Sequence, residues 1–177
     1  MAIEKPRHRL VKEFPDIELR DYPASVVAQT EVEGERDEVG NEAFRRLAGY
    51  IFGNNRGEKK IAMTAPVTQA RSAAGPRSWR VQFMMPSAYT LETLPEPKDP
   101  RVQLRQLPPR RVAAIRYSGS WSQRRYEQHL GTLTAAMKRE KLVPAGDPIW
   151  ARYDPPFKPW FLRTNEILIE VAEAPAP

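Results

Sequence analysis

The chain has 177 residues, of which 41% are hydrophobic and 28% are charged, a composition typical of a globular protein with a well-buried core. It contains no cysteine, which excludes disulfides, thiolate metal sites and a cysteine nucleophile. The formal net charge is +6, but acidic residues are mixed with the basic ones throughout, so the pattern favours a solvated surface and not a nucleic-acid site.

The N-terminal stretch is polar and contains His8. It lacks the apolar segment of a signal peptide, and no run of the chain has the apolar length of a membrane span. We therefore expect a cytoplasmic protein.

An internal repeat organises the sequence. Residues 17–34 align without a gap on residues 102–119, and each copy is predicted to form a strand, a proline-containing turn, a second strand and a glycine exit. The matching pairs are Leu19 with Leu104, Arg20 with Arg105, Pro23 with Pro108, Val27 with Val112, Ala28 with Ala113, and Gly34 with Gly119.

A predicted amphipathic helix follows each copy. Apolar residues recur at helical spacing in both, namely Phe44, Leu47, Ala48 and Ile51 in the first and Tyr126, Leu130, Leu133 and Met137 in the second. Asp37 is a candidate N-cap of the first helix, and Ser120 or Ser122 of the second. Gly49 and Gly131 lie inside these helices and leave room for a close backbone approach.

Two more strands are predicted after each helix from alternating apolar residues. They are 61–67 and 79–85 in the first half, and 149–153 and 166–171 in the second. The unit is therefore β-β-α-β-β, repeated at about 17–86 and 102–172 within a single domain spanning residues 1–177. We predict an α+β fold with two pseudo-symmetric repeats, a curved, mainly antiparallel sheet or distorted barrel, and two main helices.

Residues 153–166, YDPPFKPWFLRTNE, form the least ordinary segment. Three prolines stiffen it around Phe157, Trp160, Phe161 and Leu162. A rigid aromatic loop of this kind either packs over the end of the core or forms the wall of a pocket. At its end, Glu166 is either paired with Arg163 to hold the loop or acts as a general acid or base, and the absence of a second acid or a nucleophile at readable spacing favours the structural role.

Two motifs, KIAMTAPV at 60–67 and PP-x-KP-x-x-x-R-x-NE at 155–166, resemble those of the SOUL haem-binding protein family. The resemblance runs from about Ile17 to Val171 and implies two β-α-β-β-like halves with pseudo-twofold symmetry, similar to the effector-binding domains of GyrI-type and multidrug-sensing regulators. It also implies tetrapyrrole binding in a shallow apolar site between the first helix and the loop before the last strand. The residues this implies are Phe44, Arg45, Leu47, Ala48, Ile51, Phe52, Phe157, Lys158 and Trp160.

The chemistry of these residues suits haem, since aromatic surfaces fit a flat porphyrin, and Arg45, Arg46 or Lys158 can meet its propionates. The axial ligand is not assigned. His8 lies in the polar arm and His129 is expected to pack against the core, which leaves ligation weak or non-specific.

The first interpretation is thus a non-enzymatic binder or carrier of haem or a related tetrapyrrole. The alternative is a binder of other apolar or cationic small molecules, or a small hydrolase, which uses a GyrI-like cleft and needs an acidic group there, Glu166 or Glu170. A nucleic-acid partner is not expected, because no recognised binding motif is present.

Overall fold

The computed structural model describes residues 3–36, 38–155 and 157–172. These residues form nine strands and two α-helices, so the chain has the predicted α+β fold. The strands are β1 (Arg9–Glu13), β2 (Glu18–Tyr22), β3 (Ser25–Glu33), β4 (Val67–Arg71), β5 (Ser78–Met84), β6 (Gln103–Leu107), β7 (Arg110–Ser118), β8 (Ile149–Arg152) and β9 (Thr164–Glu170); the helices are α1 (Gly40–Ile51) and α2 (Gln123–Arg139). No helix in the described part of the chain is long and apolar enough to cross a membrane.

The chain divides into two compact units. Unit 1 comprises Met1–Pro6 and Ala24–Pro108, and unit 2 comprises Arg7–Pro23 and Pro109–Pro177. Unit 1 carries α1 and antiparallel strands in the order β4-β5-β3-β6. Unit 2 carries α2 and antiparallel strands in the order β1-β2-β7-β9-β8.

The strand bounds can be compared with the internal repeat predicted from the sequence. The offset that aligns residues 17–34 with residues 102–119 also carries β2 onto β6 and β3 onto β7. Both copies leave the second strand through a glycine with positive φ, at Gly34 and Gly119. The first strand of each sequence copy, however, belongs to the unit built on the other copy, because β2 pairs with β7 and β6 pairs with β3.

Each unit has its own apolar core. In unit 1 the buried face of α1 packs with the inward side chains of β3 and β5, among them Val81 and Phe83. In unit 2 the core forms between α2 and the strands β2, β7 and β9, around Leu133 and Ile167. A second cluster beneath Tyr22 covers the opposite face of β7 and β9, so β9 is buried on both sides.

One predicted strand was wrong, and one strand was not predicted. Residues 61–67 do not form a strand, although Ile61 and Ala65 are buried as the alternation requires. Their backbone N–H groups donate to the carbonyls of Ile51 and Glu4 instead of a sheet ladder, and the strand starts only at Val67. The polar arm after His8 was not predicted to be a strand, yet it forms β1 on β2.

The helix ends agree in part with the sequence signals. The Ser122 hydroxyl accepts a hydrogen bond from the N–H of Arg125 and caps α2, one of the two positions predicted. Helix α1 begins after Val39 without a side-chain cap, and the candidate Asp37 lies outside the described residues. A Cβ added to Gly49 or Gly131 would meet no atom within 4 Å, so the described residues give no close backbone approach at either helix.

Candidate functional site

The residues predicted on α1 separate into a buried and an exposed set. Leu47 and Ile51 are fully buried in the core of unit 1, where residues four apart share one face of the helix. Phe44 is 44% exposed and Phe52, just past the last turn, is 64% exposed, while Ala48 lies between them with little exposure. Because Phe44, Ala48 and Phe52 are also spaced four apart, they form an apolar stripe, here called the α1 stripe. Leu47 and Ile51 support it from the core.

The α1 stripe is held in place by the sheet. The rings of Phe44 and Phe83 lie 5.4 Å apart in a tilted arrangement, an aromatic contact that fixes the base of Phe44 and leaves its edge in solvent. Beneath the helix, the Tyr50 hydroxyl donates to the carbonyl of Pro95 at 2.7 Å. Burial raises the pKa of Tyr50 to about 12, so this donor stays protonated.

Arg45 and Arg46 differ in what holds them. Arg46 donates to Glu42 at 2.5 Å and to the Thr30 hydroxyl and the Glu31 carbonyl at 3.1 Å, so it serves the structure of unit 1. Arg45 is exposed and has no ion pair or hydrogen bond among the described residues. It lines a cavity of about 210 Å³ whose other lining residues are Glu42, Arg46, Gly49, Asn54, Asp99 and Arg101. Of the two arginines, Arg45 is the one available to an anionic group.

In unit 2, the loop from residue 153 to residue 164, here called the flap, presents its apolar side chains to solvent. Phe157 is 88% exposed, and Trp160, Phe161 and Leu162, which form a short 3-10 turn, are each more than half exposed. Of the two predicted positions, packing over the core is thus not observed for these side chains. Four exposed large apolar groups within six residues are unusual for a surface, and exposed apolar patches are typical of binding surfaces.

Polar contacts stiffen the flap from within. The Asp154 carboxylate accepts hydrogen bonds from Lys158 Nζ at 2.8 Å and from the N–H of Thr164 at 2.6 Å, so it joins both ends of the loop. The Arg163 guanidinium donates to the Lys158 carbonyl at 3.0 Å and lies 4.1 Å from the Trp121 ring. Lys158 is therefore partly engaged by Asp154, with 38% of its side chain exposed. Pro156 lies outside the described residues.

Glu166 lies fully buried in unit 2. Its carboxylate accepts hydrogen bonds from Arg20 at 2.5 Å, from the Tyr153 hydroxyl, and more weakly from Arg116 at 3.4 Å. Burial alone would raise the pKa of Glu166, but the hydrogen bond and charge of Arg20 outweigh it and hold that pKa below its usual value. Glu166 is therefore ionised at neutral pH and neutralised by a buried guanidinium.

The partner of Glu166 thus differs from the predicted one. The sequence favoured a pair between Glu166 and Arg163, three residues apart, whereas the cation that meets Glu166 is Arg20 on β2. Burial and the charge of Glu166 raise the pKa of Tyr153, so its hydroxyl stays protonated and donates. The other acidic candidate, Glu170, is half-buried at the end of β9. The alternating pattern of the last strand could not indicate that Arg20 is the partner of Glu166, because Arg20 is distant in sequence.

The two histidines both have structural contacts. The His129 ring stacks on Tyr117 with ring centroids 4.1 Å apart, and its Nδ1 donates to the Arg125 carbonyl at 2.7 Å. The His8 ring lies 5.2 Å from Tyr22, and burial together with the charge of Arg20 lowers its pKa. Within the described residues no group of three or more His, Cys, Asp or Glu side chains is placed to hold a metal ion.

Solved structures resemble this chain in fold at low sequence identity. A hydrolase from Listeria innocua is 13% identical with a TM-score of 0.67, and the match covers 92% of this chain and 94% of that one. The C-terminal domain of EcmrR is 9% identical with a TM-score of 0.68, covering 89% and 98% of the two chains. SAV2435 bound to tetraphenylphosphonium is 9% identical with a TM-score of 0.51, covering 89% and 94%. No curated protein gives a significant sequence match.

The order β-β-α-β-β occurs twice along the chain, and the solved structures share the overall fold, which makes this an α+β protein. The sequence shows the family, because residues 3–170, nearly the whole chain, match the SOUL heme-binding protein family. The chain belongs to that family.

Proposed function

We propose that this protein binds haem or a related tetrapyrrole without catalysing a reaction, and that the α1 stripe of unit 1 and the flap of unit 2 are the candidate apolar contact surfaces for the flat ring. The observation that carries the proposal is the flap, a stiff loop on which Phe157, Trp160, Phe161 and Leu162 stand exposed to water. Such surface is costly in a soluble protein unless a ligand covers it. Family membership points to a tetrapyrrole as that ligand.

The described residues fit the porphyrin better than they fit the iron. Aromatic faces on the α1 stripe and the flap suit a planar apolar ring, and Arg45 and Lys158 offer cations for the propionates. His129 is stacked on Tyr117 and hydrogen-bonded through Nδ1, and His8 packs by Tyr22. Both histidines therefore already have structural contacts, and neither belongs to the α1 stripe or the flap. We therefore expect affinity to rest on apolar contact and propionate pairing, and protoporphyrin to bind nearly as tightly as haemin.

Haemin titration tests this proposal. We expect a saturable shift of the Soret band at one ring per chain and a saturable quenching of tryptophan fluorescence. Trp160→Ala should weaken binding by about 10-fold, since losing the contact of one buried aromatic costs on the order of 1–3 kcal/mol. Trp160→Phe should keep most of the affinity and lose part of the quenching.

The control is Leu10→Ala, which removes a side chain that is 47% exposed on β1, outside both surfaces. Its affinity for haemin should equal that of the wild type. A titration without saturation, or equal weakening by Leu10→Ala and Trp160→Ala, would show that haemin binds only as a non-specific apolar solute.

A second candidate function is binding of cationic apolar molecules, or hydrolysis, through Glu166. The observation in its favour is a buried carboxylate beside the Tyr153 hydroxyl. The charge of Glu166 is, however, already matched by Arg20, and its lowered pKa makes it a weak base, so a cation would have to compete with a guanidinium. Titration with tetraphenylphosphonium tests this candidate: binding that Glu166→Gln abolishes would favour it over the tetrapyrrole.

A further inference from the structure

Unit 2 contains a basic pocket that neither proposed function uses. It has a volume of about 540 Å³, within the range of small-molecule sites. It forms where the start of β1, the end of β2 and the start of β7 meet, because Arg9 pairs with Asp21 and Asp21 with Arg111 across the sheet. The lining residues are Arg7, His8, Arg9, Asp21, Tyr22, Pro23, Pro109, Arg110 and Arg111.

The charge of the pocket is one-sided. Four guanidinium groups face a single carboxylate, that of Asp21. Asp21 accepts from Arg9 at 2.7 Å and from Arg111 at 2.8 and 3.1 Å, and these hydrogen bonds, that of Arg111 first, lower the pKa of Asp21 to about 2. Asp21 is thus ionised and shared by two arginines, which leaves Arg7 and Arg110 as positive charges that it does not neutralise.

Arg110 is the group with most to gain from a ligand. Its guanidinium lies 5.3 Å from the Tyr22 ring, and its Nη1 is buried with no hydrogen-bond partner among the described residues. Burial lowers the pKa of Arg110, and the charge of Glu170 offsets this only in part, so the guanidinium is poorly solvated where it stands. A buried donor without an acceptor destabilises a protein unless something else supplies the acceptor.

The walls of the pocket limit what can fill it. Pro23 lies just after β2 and Pro109 just before β7, and both offer rigid apolar surface without N–H donors; Tyr22 also lines the pocket. Arginine forks match the paired oxygens of phosphate and carboxylate groups. We propose that this basic pocket binds a small molecule carrying a phosphate or carboxylate group, with the oxyanion accepting from Arg110 and its apolar part against the two prolines. The basic pocket shares no lining residue with the α1 stripe or the flap.

Isothermal titration with four probes, at one ionic strength set with chloride, tests the proposal. Inorganic phosphate and pyrophosphate form one arm, and succinate and citrate form the other, so the arm that binds identifies the oxyanion. We expect saturable binding in one arm, weakened about 10-fold or more by Arg110→Met, because a hydrogen bond to a charged group is lost. Asp21→Asn should tighten binding, since it removes the anion that competes for Arg9 and Arg111.

The matched control is Arg105→Met, which removes an exposed arginine from β6 of unit 1 and should leave the affinity unchanged. In the wild-type protein, the side-chain Nε–H resonances of Arg110 and Arg111 should shift with the bound probe, a readout that needs no variant. Absence of saturable binding in both arms would overturn the proposal, as would equal weakening by Arg105→Met and Arg110→Met.

Discussion

Glu166 and Arg20 form a charged pair that is buried on both sides, with 3% of the Arg20 side chain and none of the Glu166 side chain exposed. Glu166→Gln leaves the buried guanidinium of Arg20 with Glu18 alone as its counter-ion, at 2.7 Å from Nε, and we expect the unfolding free energy to fall by about 3 kcal/mol. The matched control is Arg116→Gln: its side chain is 63% exposed at 3.4 Å from the same carboxylate, and it should cost about 1 kcal/mol or less. Urea unfolding measures both. Near-equal losses would mean that Arg20 does not depend on Glu166.

Asp21 gives a pH-dependent contribution whose sign follows from its lowered pKa of about 2. A carboxyl group whose pKa is lower in the folded state stabilises that state above its unfolded pKa, near 4, and loses this contribution as the pH falls towards 2. Comparing wild type with Asp21→Asn in urea at several pH values isolates it. The difference in unfolding free energy should be constant above about pH 5 and shrink below it, with most of it lost by pH 2. A difference of undiminished size at pH 2 would assign it to packing.

At the scale of the elements, glycines at two kinds of position should respond in opposite directions to alanine. Gly131 lies inside α2, where an added Cβ meets no atom within 4 Å, so Gly131→Ala should stabilise the protein by about 0.5–1 kcal/mol. Gly34 has a φ of +144°, and its Cβ would lie 3.1 Å from Val39 Cγ1, so Gly34→Ala should destabilise by more than about 1 kcal/mol. Thermal unfolding compares the two. Stabilisation by Gly34→Ala would show that the exit turn tolerates another conformation.

The sequence predicted an element well where the side-chain pattern and the backbone hydrogen bonds correspond to the same element. In β5, Val81 and Phe83 alternate inward and the backbone pairs with β3 and β4, as the pattern indicates. Between residues 61 and 67 the side chains alternate, but the backbone bonds elsewhere, which the pattern cannot report. β1 is the opposite case: its sequence RLVKE has no buried residue, and it is a strand only because β2 offers an edge.

The candidate site was predictable to a similar extent. The motif of the flap indicated an aromatic loop, and helical spacing placed apolar residues on α1, but neither showed which side chains stand in solvent. Phe44 and Leu47 are both apolar residues at helical spacing in the sequence. Only the structure distinguishes them, because Leu47 is buried in the core whereas Phe44 contacts Phe83 and stays partly exposed. The basic pocket gave no sequence signal, because its arginines come from the start of β1 and the start of β7, which lie on either side of β2 only through the antiparallel register.

Across the whole molecule, positions that match in the sequence repeat have the same place in their strands but differ in the burial and contacts of their side chains. Arg20 and Arg105 occupy matching positions of β2 and β6, but Arg20 is buried against Glu166 and Arg105 is exposed on the edge of unit 1. The aromatic flap likewise belongs to unit 2. The buried charge pair, the flap and the basic pocket therefore all lie in unit 2.

The first strand of each sequence copy pairs in the unit built on the other copy, and this predicts which separate segments of the chain can fold. Unit 1 takes β6 from the second sequence copy, and Val102, just before β6, and Leu104, within it, pack into the core of that unit. A segment cut at the unit boundary, residues 24–108, keeps the partners of β3 on both sides, whereas residues 17–100 keep the sequence copy and lose β6. Since an edge stripped of its partner exposes core side chains, we expect cooperative unfolding only for residues 24–108.

Circular dichroism and urea unfolding of the two segments measure this, and they match in length to within a residue. Adding the separate segment 101–177 to residues 17–100 should restore a cooperative transition, because it returns β6 to β3 and supplies β7 to β2. The same addition to residues 24–108 should change the transition less, since that segment already contains every strand of unit 1. If residues 17–100 unfold cooperatively alone, then the sequence copy is itself a folding unit and the strand exchange is not needed for stability.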